Sequence, residues 1–257
     1  MQCFDRSKNR TEIIMKRHVL SGLMALLAAP LLAADASPKA DVKNAATALG
    51  NQTNYSWRTT VEVGNNSPFH PGPTEGRSQK GGYTTLWMSF GDNTNQAVLK
   101  GTNGAIKTPD NGWQSLAEAT KDDGGGGFNP TMFLARMLQN FKAPDVQAAD
   151  LAGQAKDLKK DTNGISGDLT EDGAKALLTF RPRGGNGGGE SPTVSNAKGS
   201  VKFWLSNGKL AKYQFHLQGT VSFDGNDRDV DRTTTVEIKD VNSTKIEVPD
   251  EAKKKLQ

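Results

Sequence analysis

From Tyr55 the chain alternates with a period of two. In YSWRTTVEV, Tyr55, Trp57, Thr59, Val61 and Val63 share one face, and Ser56, Arg58, Thr60 and Glu62 share the other. That pattern predicts a half-buried strand. YTTLWMSF and NQAVLKG predict two more strands, joined through Gly91-Asp92-Asn93-Thr94, and GAIKTPDNGW predicts a short hairpin. DLKKDTNGISGDL is again extended. SVKFWLSNGKLAKYQFHLQGTVSF holds two strands about Asn207-Gly208, a strong two-residue hairpin signal. In the second of them Ala211, Tyr213, Phe215, Leu217, Val221 and Phe223 point one way, against Lys212, Gln214, His216, Gln218, Thr220 and Ser222.

Helical periodicity interrupts the strands. SPKADVKNAATALG puts Val42, Ala45, Ala46 and Leu49 on one side, with Pro38 near its start. WQSLAEAT is a brief helix and PDVQAADLAGQ a weaker one. The strongest is predicted over 130–141. There Asn129 caps, Pro130 takes the first helical position, and Phe133, Leu134, Met137, Leu138 and Phe141 form a stripe. LTEDGAKALLTF is a fifth helix, capped by Thr170 or Asp168. The Gly/Pro-rich stretch 64–82 and the run 184–192 read as loops.

The start of the chain follows different rules. Met15-Lys16-Arg17 is basic, and Val19 to Leu32 is an apolar run too short for a comfortable bilayer span. Ala34-Asp35-Ala36 fits a small-residue cleavage site, and cleavage after Ala33 or Ala34 also fits. This is the pattern of a secretory signal peptide, with residues 1–14 as an upstream extension. Residues 1–36 are therefore leader and 37–257 one domain, exported to the periplasm and expected to be monomeric.

The net charge of +4 is modest, and residues 1–36 contribute five Lys/Arg against three Asp/Glu. No basic stripe points to nucleic acid. The single cysteine, Cys3, lies upstream of the leader, so 37–257 has no disulfide, thiol nucleophile or acylated cysteine.

Candidate chemistry is sparse. Asp227, Asp229 and Asp231 alternate like the first ligands of a calcium loop. Counting from Asp227, however, Arg232 stands where such a loop needs glycine and Ile238 where it needs glutamate. Counting from Asp224, Asp229 replaces the glycine. Arg228 and Arg232 sit among the carboxylates and can neutralise them, and Asp224-Gly225 is a turn signal. The stretch therefore reads as a hairpin bend, with no metal site. His70 and His216 are far apart and read as surface imidazoles. The glycine runs 122–128 and 184–189 do not continue into a phosphate-loop lysine. No nucleophile elbow or metalloprotease helix is present, and no catalytic residue or cofactor is assigned.

What remains is apolar: Tyr55, Trp57, Met88, Phe90, Phe203, Tyr213 and Phe215 on the sheet, and Phe133, Met137 and Phe141 on the helix. Two readings stand. Helix and sheet form an ordinary filled core, or they leave a lipid-sized cavity of several hundred Å³ lined by these ten residues.

The order of elements, with GDLTEDGAKALL and the terminal VKFWLSNGKLAKYQF…TTTVEIKDVNSTKIEVPDEA, resembles the LolA-like superfamily of periplasmic lipoprotein carriers and LppX/LprG-type lipid-carrying proteins. The resemblance covers most of 37–257 and is most specific over 200–251. It implies an α+β fold: a strongly curved antiparallel sheet, a half-open β-barrel, with helices on its concave face. It also implies non-catalytic binding of a lipid, an acyl chain or an acylated protein, with an envelope protein as a further partner. The chain departs from the anchored members in lacking the lipobox cysteine. The arginine that latches the carriers' lid has no match, since Arg58 lies on the polar side of its strand. A filled-core envelope scaffold is the alternative function, and a hydrolase with sparse motifs a weaker one.

Overall fold

The computed structural model describes residues 37–64, 70–90, 93–109, 111–121, 129–179, 192–223 and 225–256, with backbone alone at Phe90 and Phe223. Residues 1–36, the tetraglycine 124–127 and nearly all of the run 184–192 lie outside these residues.

In chain order the elements are α1 (Pro38–Gly50), β1 (Asn54–Val63), β2 (Thr74–Gln79), β3 (Thr84–Phe90), β4 (Asn93–Lys100), β5 (Asn103–Thr108) and β6 (Asn111–Ser115). Then come α2 (Leu116–Ala119), α3 (Pro130–Gln139), α4 (Pro144–Gln154), β7 (Ala155–Asp161), β8 (Gly164–Leu169) and α5 (Glu171–Leu178). The chain closes with β9 (Thr193–Ser206), β10 (Lys209–Phe223), β11 (Asn226–Lys239) and α6 (Asp250–Lys255).

Among the described residues the strands form one antiparallel sheet in the order β6-β5-β4-β3-β2-β1-β11-β10-β9-β8-β7. Its edges, β6 and β7, do not meet, so the barrel is half-open. Two meanders, β1–β6 and β7–β11, are joined along one seam where β1 pairs with β11. Register shifts fall between Leu210 and Lys212, where Ala211 is the extra residue of β10, and between Gln218 and Thr220, where the extra residue belongs to β9. Such extra residues bend a strand and increase its twist, which suits a coiled sheet.

Directly opposed residues on neighbouring strands share a face. One concave row runs Ile106, Ala97, Leu86, Gly76, Trp57, Ile238. The next runs Thr59, Val236, Tyr213, Phe203, Ile165. Helices α1 to α5 cover this face, and its residues form the main core. Local signals place the helices. Ser37, Asn129 and Thr170 each accept a backbone N–H at the first turn of α1, α3 and α5, as capping residues do. Val42, Ala45, Ala46 and Leu49 are the buried stripe of α1. Asn207 and Gly208 have φ of 51° and 73°, the left-handed pair that a two-residue hairpin requires.

Several expectations are corrected. The stretch 64–82 is not all loop, because it contains β2. WQSLAEAT is strand as far as Ser115, and only Leu116–Ala119 is helical, under a Ser115–Glu118 capping box. The helix over 130–141 ends at Gln139. The first bulge of β10 makes Leu210 rather than Ala211 the fully buried residue at that end.

A sixth helix, α6, was not expected. It lies on the outer face, where Ala252 and Leu256 pack with Val98, Ala105 and Trp113 in a second apolar cluster. Asn103 Nδ2 donates to the Leu256 carbonyl at 3.0 Å, and Lys255 Nζ donates to Glu118 at 3.0 Å.

Candidate functional site

The aromatic floor is built by alternation. Tyr55 and Trp57 stand two apart on β1, their rings 5.7 Å apart, and Phe141 stacks on Trp57 at 6.1 Å with planes 20° apart. Phe203 and Tyr213 oppose each other across β9 and β10, with rings 6.4 Å apart. Helix α4 is tied to this floor by two hydroxyls. Tyr55 OH donates to Asp145 Oδ1 and Tyr213 OH to Gln147 Oε1, each at 2.7 Å. Burial, with Asp145 beside it, pushes the Tyr55 hydroxyl far above the ordinary tyrosine range, and burial does the same at Tyr213. Both therefore remain neutral donors at any physiological pH.

Trp57 occupies its place because β2 offers no side chain opposite it. A Cβ on Gly76 would lie 2.0 Å from the Trp57 ring. The indole covers the glycine backbone of the neighbouring strand, an arrangement that protects glycine within sheets.

Of the ten residues singled out from the sequence, Tyr55, Trp57, Met88, Phe203, Tyr213 and Phe215 are buried in the main core, packed under helices. Met137 and Phe141 are partly buried against it. Phe133 is 38 % exposed. The buried stripe of α3 is Leu134, Ala135 and Leu138, so the helix is rotated from the expected stripe and Ala135 takes the inward place expected of Phe133. The Phe90 side chain is outside the described residues.

An open cavity of about 590 Å³ lies where the C-terminal end of α3 meets strands β3 to β5. Its apolar lining includes Leu99, Leu116, Leu138 and Phe141, and its polar lining includes Thr84, Asn103 and Gln139. Phe141 alone of the ten residues lines it, and Leu99 and Leu116 are additions that the sequence did not single out. A second hollow, about 370 Å³, lies on the outer face between Trp87, Trp113 and the segment Glu247–Pro249.

The acidic run is the hairpin of β10 and β11. Asp229 accepts from Thr220 Oγ1 at 2.8 Å, and Asp231 contacts His216 Nε2 at 2.8 Å and accepts from Gln218 Nε2 at 3.1 Å. The His216 and Gln218 contacts hold the Asp231 carboxyl below the usual carboxylate range. His216 is half-buried on the polar face, and His70 is exposed. Arg232 departs from expectation. It does not join these carboxylates. It opposes Val63 on β1 and Leu217 on β10, which places it on the concave face.

Comparisons with known proteins come from structure alone: no family profile matches the chain, and no curated protein matches it. Among solved structures the chain is similar to the lipoprotein LppX of Mycobacterium tuberculosis, at 12 % identity over 84 % of this chain and 100 % of that one, with a TM-score of 0.43. It is similar to LprF of Mycobacterium bovis, at 11 % identity over 84 % and 97 %, with a TM-score of 0.39. It is also similar to an outer membrane lipoprotein-sorting protein domain of Vibrio parahaemolyticus, at 11 % identity over 82 % and 94 %, with a TM-score of 0.30. The resemblance drawn from the sequence, to LolA-like and LppX-type proteins, falls on this same group of solved structures.

Proposed function

We propose that the protein is an exported envelope protein that binds a lipid or acyl chain without catalysis, in the concavity of its half-open barrel. The observation that carries this reading is the open cavity of about 590 Å³ at the end of α3. Its volume lies within the range of small-molecule sites, and its lining joins leucine and phenylalanine walls to a few polar groups. Helix α3 borders it through Leu138 and Gln139 and is the element that would move to admit a chain. Among the described residues no helix is long and apolar enough to cross a membrane. The leader-like segment 1–36 supports delivery to the periplasm.

Two variants test the reading. Gln139→Trp should plug the cavity and abolish binding of a fluorescent fatty-acid methyl ester, while the protein melts within a few degrees of wild type. Phe133→Ala should cost well below the roughly 3–5 kcal/mol of a buried phenylalanine, since its ring is more than a third exposed. Titration with the fluorescent ester, lipid extraction with mass spectrometry and thermal melts check both. Undiminished binding by Gln139→Trp would place the ligand elsewhere.

A filled-core envelope scaffold is favoured by one specific observation. Over β9 to β11 the concave face is packed by α1, α4 and α5 with its large residues buried. Absence of any bound or bindable lipid in the same experiment would select that reading.

A further inference from the structure

Arg232 is an unpaired charge on a largely apolar strip. Along β11 it has the parity of Val230, Thr234 and Val236, and across the strands it faces Val63 and Leu217. Asp227, Asp229 and Asp231 alternate to the other side, where Ser222, Thr220 and Gln218 oppose them. Its Nε is buried and has no hydrogen-bond partner, and no carboxylate forms an ion pair with it among the described residues. Nor does it donate to any described helix, so it is not tying a helix down. Burial alone pulls its pKa below the ordinary arginine value.

Around it the cover is incomplete. Val61, Val63, Val221 and Val230 are only half-buried, whereas Leu217 and Val236 deeper on the same face are fully buried. Arg228, exposed and opposite Val221, adds a second positive charge of the same parity. A half-buried, unpaired cation whose Nε is shut off from water is costly to keep, and a guanidinium is the side chain best shaped to grip a carboxylate or phosphate in two parallel hydrogen bonds.

We infer that Arg232 receives the anionic group, a carboxylate or a phosphate, of an amphiphile whose apolar part lies along the valine strip beside it. The inference rests on the lipid-binding reading for the apolar half of the ligand and adds its charge. It is separate from the cavity at the end of α3, which lies toward the Tyr55 end of β1, whereas Arg232 pairs with Val63 at the other.

The test compares a fluorescent fatty acid with its methyl ester, with inorganic phosphate as a third probe, on wild type, Arg232→Met and Arg232→Lys. Wild type should bind the acid roughly ten- to a hundred-fold tighter than the ester, the span of one or two charge-assisted hydrogen bonds. Arg232→Met should bind acid and ester alike, at the ester's wild-type affinity. Without ligand it should melt at or above wild type, because it removes a half-buried, unpaired charge rather than a contact. Arg232→Lys should keep part of the preference. Equal binding of acid and ester by wild type, or a preference that survives in Arg232→Met, overturns the inference and leaves the lipid-binding reading intact. Binding of neither acid nor ester overturns both. Phosphate binding that depends on Arg232, with neither acid nor ester bound, overturns the amphiphile and leaves an anion site.

Discussion

Trp57→Ala should destabilise the protein by about 3–5 kcal/mol, the range for truncating a large buried aromatic ring. Trp57 is 3 % exposed and contacts three different things. Its ring stacks on Phe141 beyond the end of α3, tilts against Tyr55 on its own strand, and covers Gly76 on β2. Alanine would leave a void under the α3–α4 connection and bare the glycine backbone of β2 to water. Phe141 lines the cavity, so loss of the stack should also loosen the cavity wall. Urea denaturation measures the first effect and fatty-acid titration the second. A loss below about 1 kcal/mol would mean that the ring is not packed as described.

The second large effect comes from the opposite side of that contact. Gly76→Val should cost about 1–3 kcal/mol or more, because the new Cβ would need to lie 2.0 Å from the indole ring. The ring cannot retreat easily, since Phe141 lies against it. In a Trp57→Ala background the same substitution should be nearly neutral or stabilising. Valine favours strands, and the obstruction is then gone. The coupling measured by the four-member cycle should therefore fall in the 0.5–3 kcal/mol range seen for residues in contact. Additive effects would contradict the covering of Gly76 by Trp57.

This pair also explains what the sequence concealed. Strand β2 reads TEGRSQ, with Thr74, Gly76 and Ser78 on its inward positions, so no apolar alternation marks it. Its inward wall is supplied by the neighbour's tryptophan. Helix α6 is similarly faint, because only Ala252 and Leu256 are apolar in DEAKKKL. The long strands β9 to β11 were legible because Phe203, Tyr213, Phe215 and Val236 alternate without interruption up to the bulges. The aromatic floor followed from the same alternation. The cavity did not, because Leu99, Leu116 and Leu138 meet there from three elements whose docking no local pattern records. Arg232 was readable and was misread. Adjacency suggested pairing with Asp231 and Asp229, but strand parity separates neighbours onto opposite faces.

The seam between the meanders bears on how the chain acquires its shape. Each meander is built of strands close in sequence, yet Ser56 pairs with Lys239 and Val63 with Arg232. As the chain emerges N-terminus first, β1 has no seam partner until β11 is free. Until then its open flank offers unpaired N–H and C=O groups to any passing strand, a known route to misassembly. Contacts so distant along the chain also form slowly. Zippering of the seam should therefore be the late, rate-setting event of folding, and holding β1 apart from β11 would keep the polypeptide open enough to be threaded.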